Sequence, residues 1–256
     1  MNRLMITTIG EILLNMTKLP ISLVFFTSTR GHWGSKTIYL DILNRLNNTI
    51  PLSNFGVLYA HIKVSPGEEQ IAENMELELK SRGFVVEKTV AAWNRGISHQ
   101  ISYLEDIRKA SMSPIVNSMP YVFWLEDDST VECHKDNPFK VLYRMIEFLS
   151  NPEIISVRFL RRGDVSTTPI LKQEKDYFFN PHVNFQPLLL RQHDFYIANK
   201  LIEDNWAQLS NLQCELVMRM ALNQLSRSQF NHIVWNIDYA ETFHLGTELY
   251  VKEGKV

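Results

Sequence analysis

The sequence predicts an α/β protein: a Rossmann-like, mostly parallel sheet with helices flanking it. Three observations carry this. Short apolar runs alternate with amphipathic segments over the first 160 residues, the order of a sheet covered on both sides. The apolar runs lack strict in–out alternation, as strands buried on both faces do. Polar clusters follow two of the runs, "TSTRGHWG" (27–34) and "EDDST" (126–130), and ligands of such sheets bind beyond the carboxyl ends of the strands.

The elements follow in order. Residues 1–20 read as a short amphipathic extension that packs on the domain, with a membrane or partner contact as the alternative. Glu11 and Asn15 interrupt its apolar middle and no small-residue cleavage site follows, unlike a signal peptide. "ISLVFFTSTR" (21–30) is a strand. The helix of 34–48 takes Ser35 as N-cap and places Ile38, Leu40, Ile42, Leu43 and Leu46 at helical spacing. A strand over 55–63 leads to a helix over 65–83, with acids in its first turn, bases in its last and Gly83 as the stop. Residues 84–90 form the third strand. The helix of 95–111 ends at Ser113-Pro114, and "YVFWL" (121–125) is the fourth strand. Pro138 opens a helix over 138–150, and 153–160 is again a strand.

Beyond residue 160 the character changes. Residues 161–185 are mostly polar and read as irregular. Residues 186–202 turn a short strand into a helix, 211–228 is a well-patterned helix, and 232–250 is a strand followed by a loop. No repeat or low-complexity linker separates the halves, so two lobes of one domain are expected, 21–160 and 161–256.

Composition narrows the function classes. Of 256 residues 45% are apolar and 21% charged, and the net charge is −2. That leaves no global basic field for nucleic acid or an anionic membrane. No apolar run is long enough to span a bilayer. Cys133 and Cys214 have no metal-knuckle or disulfide spacing and read as free thiols of a cytoplasmic protein.

The chemistry concentrates where "YVFWL" runs into Glu126, Asp127 and Asp128. Three acids at one strand end repel one another and lose hydration. A hard divalent cation offsets that cost, and Mg²⁺ favours one or two protein carboxylates together with substrate phosphates. One acid then holds the metal while its neighbours accept hydrogen bonds from ribose or sugar hydroxyls. The plainer alternative is a solvated acidic turn.

"YVFWLEDDSTVE" (121–132) resembles the DxD region of GT-A glycosyltransferases, the metal-dependent nucleotide-sugar enzymes, and its "LEDD" is similar to that of the N-acetylglucosaminyltransferase I-like members. The resemblance implies a GT-A fold with a nucleotide-sugar-binding lobe and a C-terminal acceptor lobe. It implies that Asp128 holds Mn²⁺ or Mg²⁺ against the donor diphosphate, and that Glu126 and Asp127 face the nucleoside and donor sugar. "FFTSTRGHWG" (25–34) sits where the family has its first strand and nucleotide loop, so Thr27, Ser28 and Arg30 become candidate donor contacts; an ordinary strand-to-helix turn explains them as well. "WNRGISHQ" (93–100) resembles the family's Asn-x-Gly helix entry, with Asn94 and Arg95 at a helix N-terminus that favours anions. The gap from there to Asp128 is longer than in many members. "LQCELVMRMAL" (212–222) resembles the helix start that supplies the general base of inverting members, and Glu215 is the matching residue. A carboxylate there takes the acceptor proton during attack on the anomeric carbon. Pairing with Arg219 is the structural alternative, Cys214 stands where the family has its first acid, and Asp194 and Asp204 are rival bases. His244, in a late loop, matches the C-terminal histidine that completes the metal site in several members; a structural hydrogen-bonding role is the alternative.

Arg158, Arg161 and Arg162 read as a solvated charge run with salt bridges, with an acceptor or phosphate contact as the alternative. The function expected is transfer of a sugar, with a uridine diphosphate sugar as default donor, to a glycan, protein, small molecule or modified nucleobase. Nucleotidyl transfer and a non-catalytic nucleotide- or sugar-binding module are the competing expectations. "TSTRGHWG" is a poor match to the Gly-rich basic loop of nucleotidyltransferases.

Overall fold

The structure is a computed structural model. It describes residues 18–29, 38–90, 99–133, 137–159, 169–181, 187–206, 212, 214–225, 231–235 and 240–244, with the backbone alone at 99–101, 138, 215 and 240–244. Residues 1–17 of the expected amphipathic extension of 1–20, Ser35 as N-cap, Arg161 and Arg162 lie outside the described residues.

Its strands are β1 (Leu19–Ser28), β2 (Phe55–Val64), β3 (Val85–Val90), β4 (Tyr121–Glu126), β5 (Ser129–Cys133), β6 (Ser156–Arg158), β7 (Lys172–Gln173), β8 (Tyr177–Asn180), β9 (Leu188–Arg191), β10 (His232–Trp235) and β11 (Ala240–His244). Its α-helices are α1 (Ile38–Thr49), α2 (Glu69–Ser81), α3 (His99–Met112), α4 (Pro138–Leu149), α5 (Gln192–Asp204) and α6 (Cys214–Asn223). Nine strands form one sheet in the order β3-β2-β1-β4-β9-β6-β10-β8-β7, and β11 pairs with β5 in a second, two-stranded sheet. The pairs β3–β2, β2–β1 and β1–β4 are parallel, as is β6–β10. β9 runs against both neighbours, β4 and β6.

Strand parity explains the continuous apolar runs. In β1, Leu23 and Phe25 join the core on one face, while Val24 and Phe26 join the core on the other. In β4, Phe123 and Leu125 go one way and Val122 and Trp124 the other. The first core is completed by Ile42, Leu43 and Leu46 of α1, Leu79 of α2 and Leu142 and Met145 of α4. The second takes Leu104 and Ile107 of α3, Phe195 and Ala198 of α5, and Val217 and Met218 of α6. With both faces covered, the places where a ligand can reach this sheet are the ends of its strands.

Several boundaries and assignments differ from expectation. β1 begins at Leu19, inside the expected extension of 1–20. The segment expected to be irregular contains β7 and β8, which close one edge of the large sheet. "STVEC" continues past the acidic turn as β5, and His244 ends strand β11 rather than lying in a loop. Arg158 is not solvated: it is 1% exposed, in a strand between β9 and β10.

Candidate functional site at the carboxyl edge of the sheet

Parallel pairing puts the carboxyl ends of β1, β2 and β4 on one edge. Phe26 is in register with both Glu126 and His61, and Ser28 with Lys63. The turn at Asp127 and Asp128 therefore sits beside Thr27 and Ser28, although a hundred positions separate Thr27 from Asp127.

Asp127 Oδ2 accepts from Thr27 Oγ1 at 2.8 Å and from the Ser28 backbone N–H at 3.2 Å. By exposed area Asp127 is half-buried, yet protein atoms crowd its carboxyl. That crowding, with the Asp128 carboxylate beside it, raises its pKa to about 7 against the pull of the Thr27 and Ser28 donors. Glu126 accepts at Oε1 from the Tyr103 hydroxyl on α3. The side chain of Thr27 thus contributes to the site through Asp127, and Tyr103 is a member that the sequence reading missed.

The second sheet joins a distant segment to this turn. β11 runs antiparallel to β5, and His244 is the register partner of Ser129, the residue after Asp128. The backbones of Asp128 and His244, 116 positions apart (244 − 128), are neighbours for that reason. Glu215 is the second residue of α6. Cys214 before it is close enough to Tyr103 to act electrostatically on its phenol. The side chains of Glu215 and His244, and the whole of Arg30, Asn94 and Arg95, lie outside the description. The rival base Asp194 is bound to Arg191 at 2.6 Å, and Arg191 pairs with Tyr121 at the amino end of β4, the edge away from the turn. Asp204 is exposed at the end of α5.

Next to the carboxylate turn lies a buried polar cluster, also missed in the sequence. Lys63 Nζ meets Asp106 Oδ2 at 2.7 Å, Ser102 O at 2.6 Å and Ser102 Oγ at 2.5 Å. Asp106 Oδ1 accepts from Thr89 Oγ1 at 2.6 Å and lies 3.1 Å from His61 Nε2. Burial would raise the Asp106 pKa, but His61 and Lys63 outweigh it and hold the carboxyl below its ordinary range. The available signal was "HIK" (61–63), which puts two polar residues two apart in an otherwise apolar strand.

Among the described residues, no three His, Cys, Asp or Glu side chains converge as a metal site, and no helix is long and apolar enough to cross a membrane. A cation nonetheless suits the donor set. Two adjacent carboxyls, one of them raised to about 7 by crowding and by its neighbour's charge, are groups whose ionised forms a hard cation stabilises.

No family model matches the sequence, and no curated protein matches it. Solved structures do resemble the fold. A 4-diphosphocytidyl-2C-methyl-D-erythritol synthase from Anaerococcus prevotii aligns with 93% of this chain and 96% of its own, at 13% identity and TM-score 0.48. A Bacillus anthracis protein assigned as a glucose-1-phosphate thymidylyltransferase, in complex with sucrose, aligns over 91% of this chain and 93% of its own, at 8% identity and TM-score 0.50. The second likeness shows the fold: a mixed α/β, Rossmann-like architecture with a largely parallel central sheet and flanking helices.

Proposed function

We propose that this protein is a transferase that binds a nucleoside diphosphate sugar at the carboxyl edge of the sheet and moves the sugar to an acceptor hydroxyl. The observation that carries the reading is the β5–β11 pairing. It brings the backbone of His244 beside the Glu126–Asp127–Asp128 turn, which is what the DxD resemblance requires of a C-terminal metal ligand.

Asp128 and His244 would hold Mn²⁺ or Mg²⁺. Bound there, the cation offsets charge that develops on the leaving diphosphate. Glu126 and Asp127 accept hydrogen bonds from donor hydroxyls, and Thr27 and Ser28 keep Asp127 aimed at the edge. Arg30, Asn94 and Arg95 are assigned to the donor by the sequence resemblance alone. Glu215 takes the acceptor proton, an assignment made by the sequence resemblance alone. A carboxylate base acting on the face opposite the diphosphate makes the transfer inverting. The 161–256 lobe supplies the acceptor side.

The second reading is nucleotidyl transfer on the same edge. It is favoured by the assignment of the B. anthracis neighbour.

A thermal-shift series with nucleoside diphosphates, with and without Mn²⁺, tests the site. Wild type is stabilised only when metal and nucleotide are both present, by about 2.7 kcal/mol at a hundredfold excess over Kd, and Asp128→Ala abolishes the shift. Equal stabilisation of Asp128→Ala would refute the metal assignment. Sugar release from a nucleoside diphosphate sugar, measured beside pyrophosphate exchange into a nucleoside triphosphate, separates the two readings. Activity in the second assay alone overturns sugar transfer.

A further inference from the structure

Tyr103 belongs to neither the DxD turn nor the helix starts, yet its hydroxyl reaches the first acid of the turn. The contact is held from both sides. The ring stands edge-on to Phe26 at 5.5 Å and to Trp124 at 6.3 Å between centroids. Its neighbours on α3 are anchored: Ser102 and Asp106 both bind Lys63. The helix cannot turn about its axis without breaking that cluster, so the phenol oxygen stays where Glu126 is. Crowding by protein and the Glu126 carboxylate push the Tyr103 pKa well above its usual value, so the hydroxyl keeps its proton and can donate at neutral pH.

A carboxylate offers about four acceptor sites. A phenol that always fills one of them fixes the plane in which the others lie. We infer that Tyr103 is a positioning residue: it orients Glu126 so that the carboxylate accepts a hydrogen bond from a hydroxyl of the bound donor, on its ribose or on its sugar. The inference rests on the nucleotide-sugar reading above. Lys63, Asp106 and Ser102 act one step further back, by fixing the helix that carries the phenol.

The test is calorimetric binding of uridine, cytidine, adenosine and guanosine diphosphates with Mn²⁺, and of the matching diphosphate sugars, to wild type, Tyr103→Phe, Glu126→Gln and the double variant. Tyr103→Phe keeps the ring on Phe26 and Trp124 and removes one oxygen. It is expected to weaken the nucleotide that wild type binds by about tenfold, the size of one hydrogen bond to a charged group. The double variant is expected to lose little more than either single variant, because both remove the same contact. If the hydroxyl is on the ribose, a 2′,3′-dideoxy diphosphate binds wild type and Tyr103→Phe equally. If it is on the sugar, the loss appears with the diphosphate sugar and not with the bare diphosphate. Unchanged affinity in Tyr103→Phe, or strictly additive losses, overturns the role of Tyr103 while leaving the nucleotide reading standing. A wild type that binds none of these ligands overturns both.

Discussion

At the scale of single residues, the edge of the sheet shows two ways of keeping acids where water is scarce. Asp127 is held by neutral donors, the Thr27 hydroxyl and the Ser28 N–H, which only partly offset the crowding and the Asp128 charge that raise its pKa to about 7. Asp106 is held by Lys63 and His61 and stays ionised. The second arrangement makes a testable claim. Asp106→Ala leaves a buried ammonium without its counter-charge and is expected to cost about 3–5 kcal/mol in chemical denaturation. Adding Lys63→Met to it should recover much of that loss, since an apolar replacement for a buried pair is often neutral. The pH dependence follows from the direction of the Asp106 shift. Its folded pKa lies below the ordinary 3.8, so its contribution is complete above that value and is lost as pH falls through the folded value. Acid titration of wild type should therefore show a loss of stability below about pH 4 that Asp106→Asn lacks. Tyr103 and Lys63 escaped the sequence reading for one reason. A tyrosine on a helix and a lysine on a strand are ordinary there, and what distinguishes them is a partner supplied by another element.

At the scale of elements, caps and short strands did what local chemistry asks of them, but several partners are remote. Asn137 caps α4 by accepting from the Phe139 N–H at 2.9 Å, with Pro138 at the first helical position. Both signals are local and legible. The other end of α4 is closed by Arg191 from β9, which donates to Leu149 O at 2.7 Å and to Asn151 O and Pro152 O at 3.1 Å. Arg191→Ala is expected to cost about 1–3 kcal/mol by urea denaturation, from carbonyls left without a charged donor. Arg191→Lys should restore only part, because an ammonium lacks the planar fork that spans several carbonyls. Gly56 on β2 is a second such point. A Cβ there would lie 2.7 Å from Met119 Sδ and 3.0 Å from the Leu19 carbonyl oxygen. Gly56→Ala should lower Tm as Met119 is pushed aside and the β1–β2 contact tightens. Reading 161–185 as irregular failed at this scale too. β7 and β8 are two and four residues long, too short for alternation to register, and they become strands because β8 pairs onto β10 and β7 onto β8.

At the scale of the whole molecule, the two expected lobes share one sheet. β9, from the C-terminal half, is inserted between β4 and β6 of the first half, and Leu188, Leu189 and Leu190 are buried on both its faces. A chain cut after residue 160 would leave β4 and β6 with open edges and two apolar surfaces exposed. Residues 1–160 alone are expected to lack the dispersed amide spectrum of a folded protein, while the full chain should unfold in one transition by both calorimetry and circular dichroism. A stable 1–160 fragment would show the halves to be independent. The carboxylate turn depends on the same scale of organisation, since β1, β4, β5 and β11 come from three distant parts of the chain.

What the amino-acid order determined by itself was the succession of strands and helices, the burial of the central strands on both faces, and the location of an acidic turn at a strand end. Each is written in residues a few positions apart: apolar runs, helical spacing, a capping asparagine, three carboxylates in a row. What only the tertiary structure decided was which distant groups meet that turn: Thr27 and Ser28 across β1, Tyr103 from α3, and the backbone of His244 through β11. Strand direction and register arise from pairing across the whole chain. No local pattern carries them, and the chemistry at the edge of this sheet is set by that pairing.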